Sequence, residues 1–151
     1  MGLDFGLIKV RKGNAPIWDD NNELAYGRKS WELAQFFNGE WNTEYCTKLT
    51  LDKWNDFIAK IEPIGDKLED IWDAFDIADN LPDDYPELVF GEKEQKLIAE
   101  YELWYNRTWG DEPTLGYDFS VGYMLSFWEA RNIVNDIFDD GEYDLYTIAS
   151  Y

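Results

Sequence analysis

The chain has 151 residues, 45% apolar and 18% aromatic, with 32 acids against 13 bases and no histidine, for a net charge of -19. That length suits one domain, and eight Trp, ten Tyr and nine Phe supply enough large side chains for a core, which excludes a disordered acidic tail. The lack of His excludes Ser-His-Asp and Cys-His catalysis and His-containing zinc sites, and the lone Cys46 excludes an internal disulfide and thiolate zinc clusters.

In chain order, GLDFGLIKV (residues 2–10) puts Leu3, Phe5 and Leu7 on one alternation and reads as a strand ending at RKGN. Nothing in this start has the basic-then-apolar form of a secretory signal, and with a single cysteine the expected compartment is a reducing cytoplasm. From Glu23 to Phe37, the positions of Tyr26, Leu33 and Phe37, flanked by Leu24, Trp31 and Ala34, predict a helix capped by Asp20–Asn22 and left through Gly39. Tyr45–Leu49 is a short strand candidate. Thr50 can cap a helix whose stripe of Leu51, Trp54, Phe57, Ile58 and Ile61 ends at Pro63.

Helical spacing resumes over 66–78 through Leu68, Ile71, Trp72 and Phe75, and Pro82 and Pro86 then impose a loop. Glu92–Trp109 predicts a helix with Leu97, Ile98, Tyr101, Trp104 and Tyr105 inward and glutamates in its first turns, where the helix dipole favours them. Ser120–Phe138 predicts one long helix, followed by a DDGE turn and a terminal strand, Tyr143–Ile148. The longest uncharged stretch of the aromatic-rich C-terminal third, residues 119–128, falls well short of the roughly 20 residues that span a bilayer. The expected fold is a single α+β domain, a small sheet of the N- and C-terminal strands covered by four or five helices.

Three segments, MGLDFGL, ELAYGRKSWELAQFF and GEYDLYTIASY, resemble a loose group of small phage and prophage proteins in which an MGLD-type start precedes a helix with a Tyr-x-Arg-Lys core. Tyr26, Arg28 and Lys29 match that core; the His and aromatic residues often found around it are missing here. The resemblance implies a phage context rather than a mechanism.

Neither a G-x-x-x-x-G-K-[ST] nor a G-x-G-x-x-G motif is present, so no nucleotide cofactor is expected, nor any other. Two acidic runs, Asp70, Asp73, Asp76 and Asp79, and Asp136, Asp139, Asp140 and Glu142, are candidates for oxygen ligation of a cation, although neither follows the alternate-residue pattern of an EF-hand loop. Carboxylate pairs acting as acid and base are a further possibility among so many acids.

Charge is polarised along the chain: residues 71–120 carry 13 acids and 3 bases. DIWDAFDIADNLPDDYPE (residues 70–87) holds Asp70, Asp73, Asp76, Asp79, Asp83, Asp84 and Glu87 with no base. On a helix, the first four would rise about 4.5 Å per charge, close to the roughly 3.4 Å phosphate spacing of a DNA strand. The same pattern also describes an amphipathic helix with a solvated acidic face. A charge of -19 nevertheless exceeds the magnitude of about 2 to 8 that keeps a small domain soluble.

The expected function is therefore a non-enzymatic, phage-type inhibitory binding protein, an acidic nucleic-acid mimic. It would hold a basic, nucleic-acid-binding host protein such as a nuclease or nucleic-acid-guided defence complex through those seven acids. Exposed aromatics such as Trp18, Trp41 and Trp109 would anchor the contact. Nucleic acid itself and anionic membranes would be repelled. The alternatives are a metal-dependent or carboxylate-based small enzyme and a phage structural or assembly protein. Arg11, Lys12, Arg28 and Lys29 are read as a basic cluster that binds an anion or pairs with the chain's own acids.

Overall fold

Alternation at the N-terminus does build a strand, β1 (Asp4–Arg11), with apolar residues on both of its faces. The computed structural model describes residues 3–39, 46–79 and 91–150. Phe5 and Leu7 point into the main core, whereas Ile8 and Val10 join Ile148 in a smaller cluster on the other face, where Trp18, Cys46 and Tyr146 pack over them. Gly6 lets Trp18 approach: an added Cβ would stand 2.5 Å from the indole ring.

Residues 23–28 are not helical. They form β2 (Glu23–Arg28), antiparallel to β1, with Phe5 opposite Gly27 and Leu7 opposite Ala25. Ala25 and Gly27 are buried while Tyr26 is exposed, a two-residue period that the larger apolar side chains nearby conceal. Lys29, at φ 52, turns the chain out of β2 through a left-handed residue, and α1 (Trp31–Asn38) starts only there. The Tyr26, Arg28 and Lys29 match thus lies on a strand and its exit, not on a helix.

β3 (Cys46–Lys48) leads to α2 (Leu51–Gly65), where the Lys53 amide donates to Thr50 Oγ1 at 3.2 Å as the cap reading anticipated. Pro63 does not end this helix. It sits, exposed, in the last turn, where the lost amide removes one ladder bond, and the helix runs on to Gly65 beneath the Trp128 ring.

α3 (Leu68–Asp79) and α4 (Glu92–Trp109) follow the predicted spans, and Gly110 closes α4 in the left-handed conformation. The expected helix over 120–138 is two abutting helices, α5 (Tyr117–Glu129) and α6 (Arg131–Asp140). At the joint Arg131 donates to the Trp128 carbonyl at 2.8 Å and its guanidinium lies over the Trp128 ring, so a side chain occupies an acceptor of the helical ladder.

β4 (Tyr143–Ser150) pairs antiparallel with β1 along its whole length and with β3 on its other side, giving the sheet order β2-β1-β4-β3. The chain is thus a single α+β domain in which the N- and C-terminal strands are the central pair. The helices pack on one face of the sheet over Phe5, Phe37, Trp54, Phe57 and Phe127. No helix among the described residues is long and apolar enough to cross a membrane.

Candidate functional site

Four of the seven predicted acids can be placed. Leu68, Ile71, Ala74 and Phe75 turn one side of α3 into the core, which leaves Asp70, Asp73, Asp76 and Asp79 exposed. A three-residue step rotates each about 60° from the last, so Asp70 and Asp79 stand about half a turn apart and the four sweep around the helix rather than form one stripe. Asp83, Asp84 and Glu87 lie outside the described residues.

The sweep ends at a groove. Trp72 does not join the core stripe of α3; it is 45% exposed, and its ring lies against Gly122 of α5, where a Cβ would stand 2.8 Å from it. Phe119, one turn earlier on α5, is 50% exposed. With Tyr26, Arg28 and Tyr123, these side chains line a depression of about 520 Å³ between α3, α5 and β2. Asp79 from α3 and Asp118 from the first turn of α5 share its rim.

The Asp79 carboxyl is held above its ordinary range by desolvation, by a hydrogen bond with Asp118, and by the charges of Asp118 and Asp76. Two shallower depressions continue the groove along β2. One is walled by Glu23, Leu125, Glu129 and Ile133, the other by Asp4, Trp18, Asp19 and Asp20. In the second of these Tyr26 Oη donates to Asp4 Oδ1 at 2.7 Å, and burial together with that bond pushes its hydroxyl up to about 12.

A second site lies on the opposite side of Tyr123. Glu32, in the first turn of α1, accepts a hydrogen bond from Tyr123 Oη and has Tyr105 beside it, and burial raises its carboxyl above the usual range. No base is among these partners. The tyrosine hydroxyls are themselves raised by burial and by the Glu32 charge. A cleft of about 490 Å³ opens there, with Trp31, Trp109, Asp111 and Glu112 on its walls.

The predicted basic cluster does not assemble. Arg11 ends β1 and donates to Tyr143 Oη at 3.2 Å, whereas Arg28 faces Asp4 at the other end of the same strand, about 23 Å away at strand rise. Trp18 and Trp109, expected as exposed anchors, are half-buried, Trp18 over Gly6 and Trp109 against Phe36. Trp41 is outside the described residues. Among the described residues the exposed rings are Trp72, Phe119 and, less so, Tyr26; spacing could not single out Trp72, because it sits at the margin of the Leu68, Ile71 and Phe75 stripe. No group of three or more acids or cysteines among the described residues is placed to hold a metal ion, the Asp136, Asp139, Asp140 and Glu142 run included. No known protein family matches the chain, and no characterised protein or solved structure is detectably similar to it.

Proposed function

We propose that this chain is an inhibitory binding protein that presents phosphate-like charge to a basic, nucleic-acid-handling host protein, in the phage setting its sequence resembles and in the bacterial cytoplasm. The observation that carries the reading is the meeting, on α3, of four exposed aspartates with the exposed ring of Trp72. Charge alone would serve solubility. An acidic face bordered by unburied aromatic rings is what a protein interface needs, long-range attraction for encounter and apolar area for residence.

The test is capture of host proteins on the immobilised chain at low salt, eluted with a salt gradient and competed with DNA. A nuclease or similar enzyme released by moderate salt, displaced by DNA and inhibited by the purified chain is the expected result. Retention unaffected by salt and by DNA refutes charge mimicry.

Glu32 favours a second reading, a carboxylate-based enzyme. Its raised carboxyl stands in a cleft shared with Asp111 and Glu112, the pairing of unlike acids that general acid-base chemistry uses. Hydrolysis of a glycoside panel that is lost in Glu32→Gln would establish it.

A further inference from the structure

The groove between α3, α5 and β2 carries an inference that rests on the proposed binding of a basic protein and names what that partner inserts. We infer that it seats an arginine or lysine side chain from a basic segment of the partner, with the aliphatic stem between Trp72 and Phe119 and the cationic head at the Asp79–Asp118 pair.

The walls and the rim each point to that occupant. Trp72 and Phe119 are about half exposed, and the Cζ3 edge of Trp72 sits where a side chain on Gly122 would stand, 2.8 Å from an added Cβ. A half-exposed ring held by such a contact offers apolar surface at little ordering cost, which suits an alkyl stem and a cation beside it. At the rim Asp79 and Asp118 line the same depression, and the Asp118 charge is among the causes that hold the Asp79 carboxyl above its ordinary range. A guanidinium or ammonium set between them relieves that repulsion and pairs with both carboxylates.

Charge complementarity excludes the other occupants. The depressions that extend the groove along β2 bring Glu23, Glu129, Asp4, Asp19 and Asp20 to its edges, and among the described residues that line one or another of the three, Arg28 is the single base. Phosphate, anionic lipid and a second copy of a chain of charge -19 are all repelled from such a rim. A bare metal ion leaves the apolar walls unused. An extended basic segment with apolar residues between its cations fits both features.

The probe is a fluorescein-labelled ten-residue peptide of alternating Arg and Leu, titrated into the full chain at physiological salt. We expect saturable binding that weakens about tenfold in Trp72→Ala and in the double variant Asp79→Asn/Asp118→Asn, and that stays within about twofold in Asp136→Asn/Asp139→Asn, which removes the same charge elsewhere. Arg28→Ala, which takes away the competing cation, should tighten it. Circular dichroism confirms that each variant is folded. Absence of binding, or equal weakening by the remote pair, overturns the inference. Host-enzyme capture that survives Trp72→Ala refutes the groove and leaves the inhibitor reading standing; groove-dependent peptide binding with no host enzyme captured refutes the inhibitor reading alone.

Discussion

Asn38, at the end of α1, and Thr147, in the middle of β4, exchange two hydrogen bonds inside the core: Asn38 Nδ2 donates to the Thr147 carbonyl at 3.0 Å, and Thr147 Oγ1 donates to Asn38 Oδ1 at 2.5 Å. Both residues are almost wholly buried. This polar clasp fixes the helix end against the sheet next to the β1–β4 seam.

Asn38→Ala should therefore destabilise the fold by about 2–3 kcal/mol, because it removes two bonds inside the core and leaves the Thr147 hydroxyl only the longer contact to the Thr47 carbonyl at 3.4 Å. Urea unfolding followed by Trp fluorescence checks it. A loss under about 0.5 kcal/mol would mean that the site admits water.

Gly27→Ala should cost about 1–3 kcal/mol by overpacking. The added methyl would meet Tyr123 Cβ at 2.8 Å and Ser30 Oγ at 2.7 Å, both on elements held by the core. Alanine is the better helix former, so if residues 23–28 were helical the same change would stabilise. The sign of the shift in melting temperature separates the two.

Glu32 makes stability depend on pH in a stated direction. Its folded carboxyl titrates above the ordinary value of 4.5, so the native state holds a proton that the unfolded chain releases. That stabilisation is complete below the unfolded value and is lost as pH rises through the folded one. Glu32→Gln keeps an acceptor for Tyr123 and cannot ionise. Its stability relative to the parent chain should climb from pH 4 to pH 8, measured by thermal melts in buffers of matched ionic strength; a flat difference would mean that the carboxyl titrates normally.

Neutralising Asp70, Asp73 and Asp76 to Asn should act in opposite senses on stability and on binding. All three are exposed in a chain of net charge -19, so relief of repulsion should raise the melting temperature at low salt, with the gain fading as salt is added. Capture of the basic partner should weaken in the same protein. Retained capture would move the interface off α3.

Elements whose partners lie nearby in sequence were legible before the fold was known. α4 spans the residues its period predicts, and Thr50 caps α2. The failures occur where a distant residue decides. Residues 23–28 have helix-like spacing locally, but β1 offers them a ladder and Tyr123 leaves room only for Gly27. What reads as one helix is divided at Ala130, where Arg131 reaches back to the Trp128 carbonyl.

The candidate site divides along the same line. The run of α3 acids and their exposure were readable from composition and from the stripe of Leu68, Ile71 and Phe75, since a charged side chain cannot enter a core without a partner. That Trp72 would stay outside, that Asp118 would meet Asp79, and that Glu32 would close on Tyr105 and Tyr123 depended on contacts across tens of residues. By itself the sequence determined the α+β class, the strand character of both chain ends and the sign of the surface, all of which follow from short-range period and total charge; that the two end strands form the central pair was decided by the fold. Tertiary structure decided where that charge borders exposed aromatic surface, because the packing of α5 against both α3 and β2 makes the groove, and no local pattern encodes it.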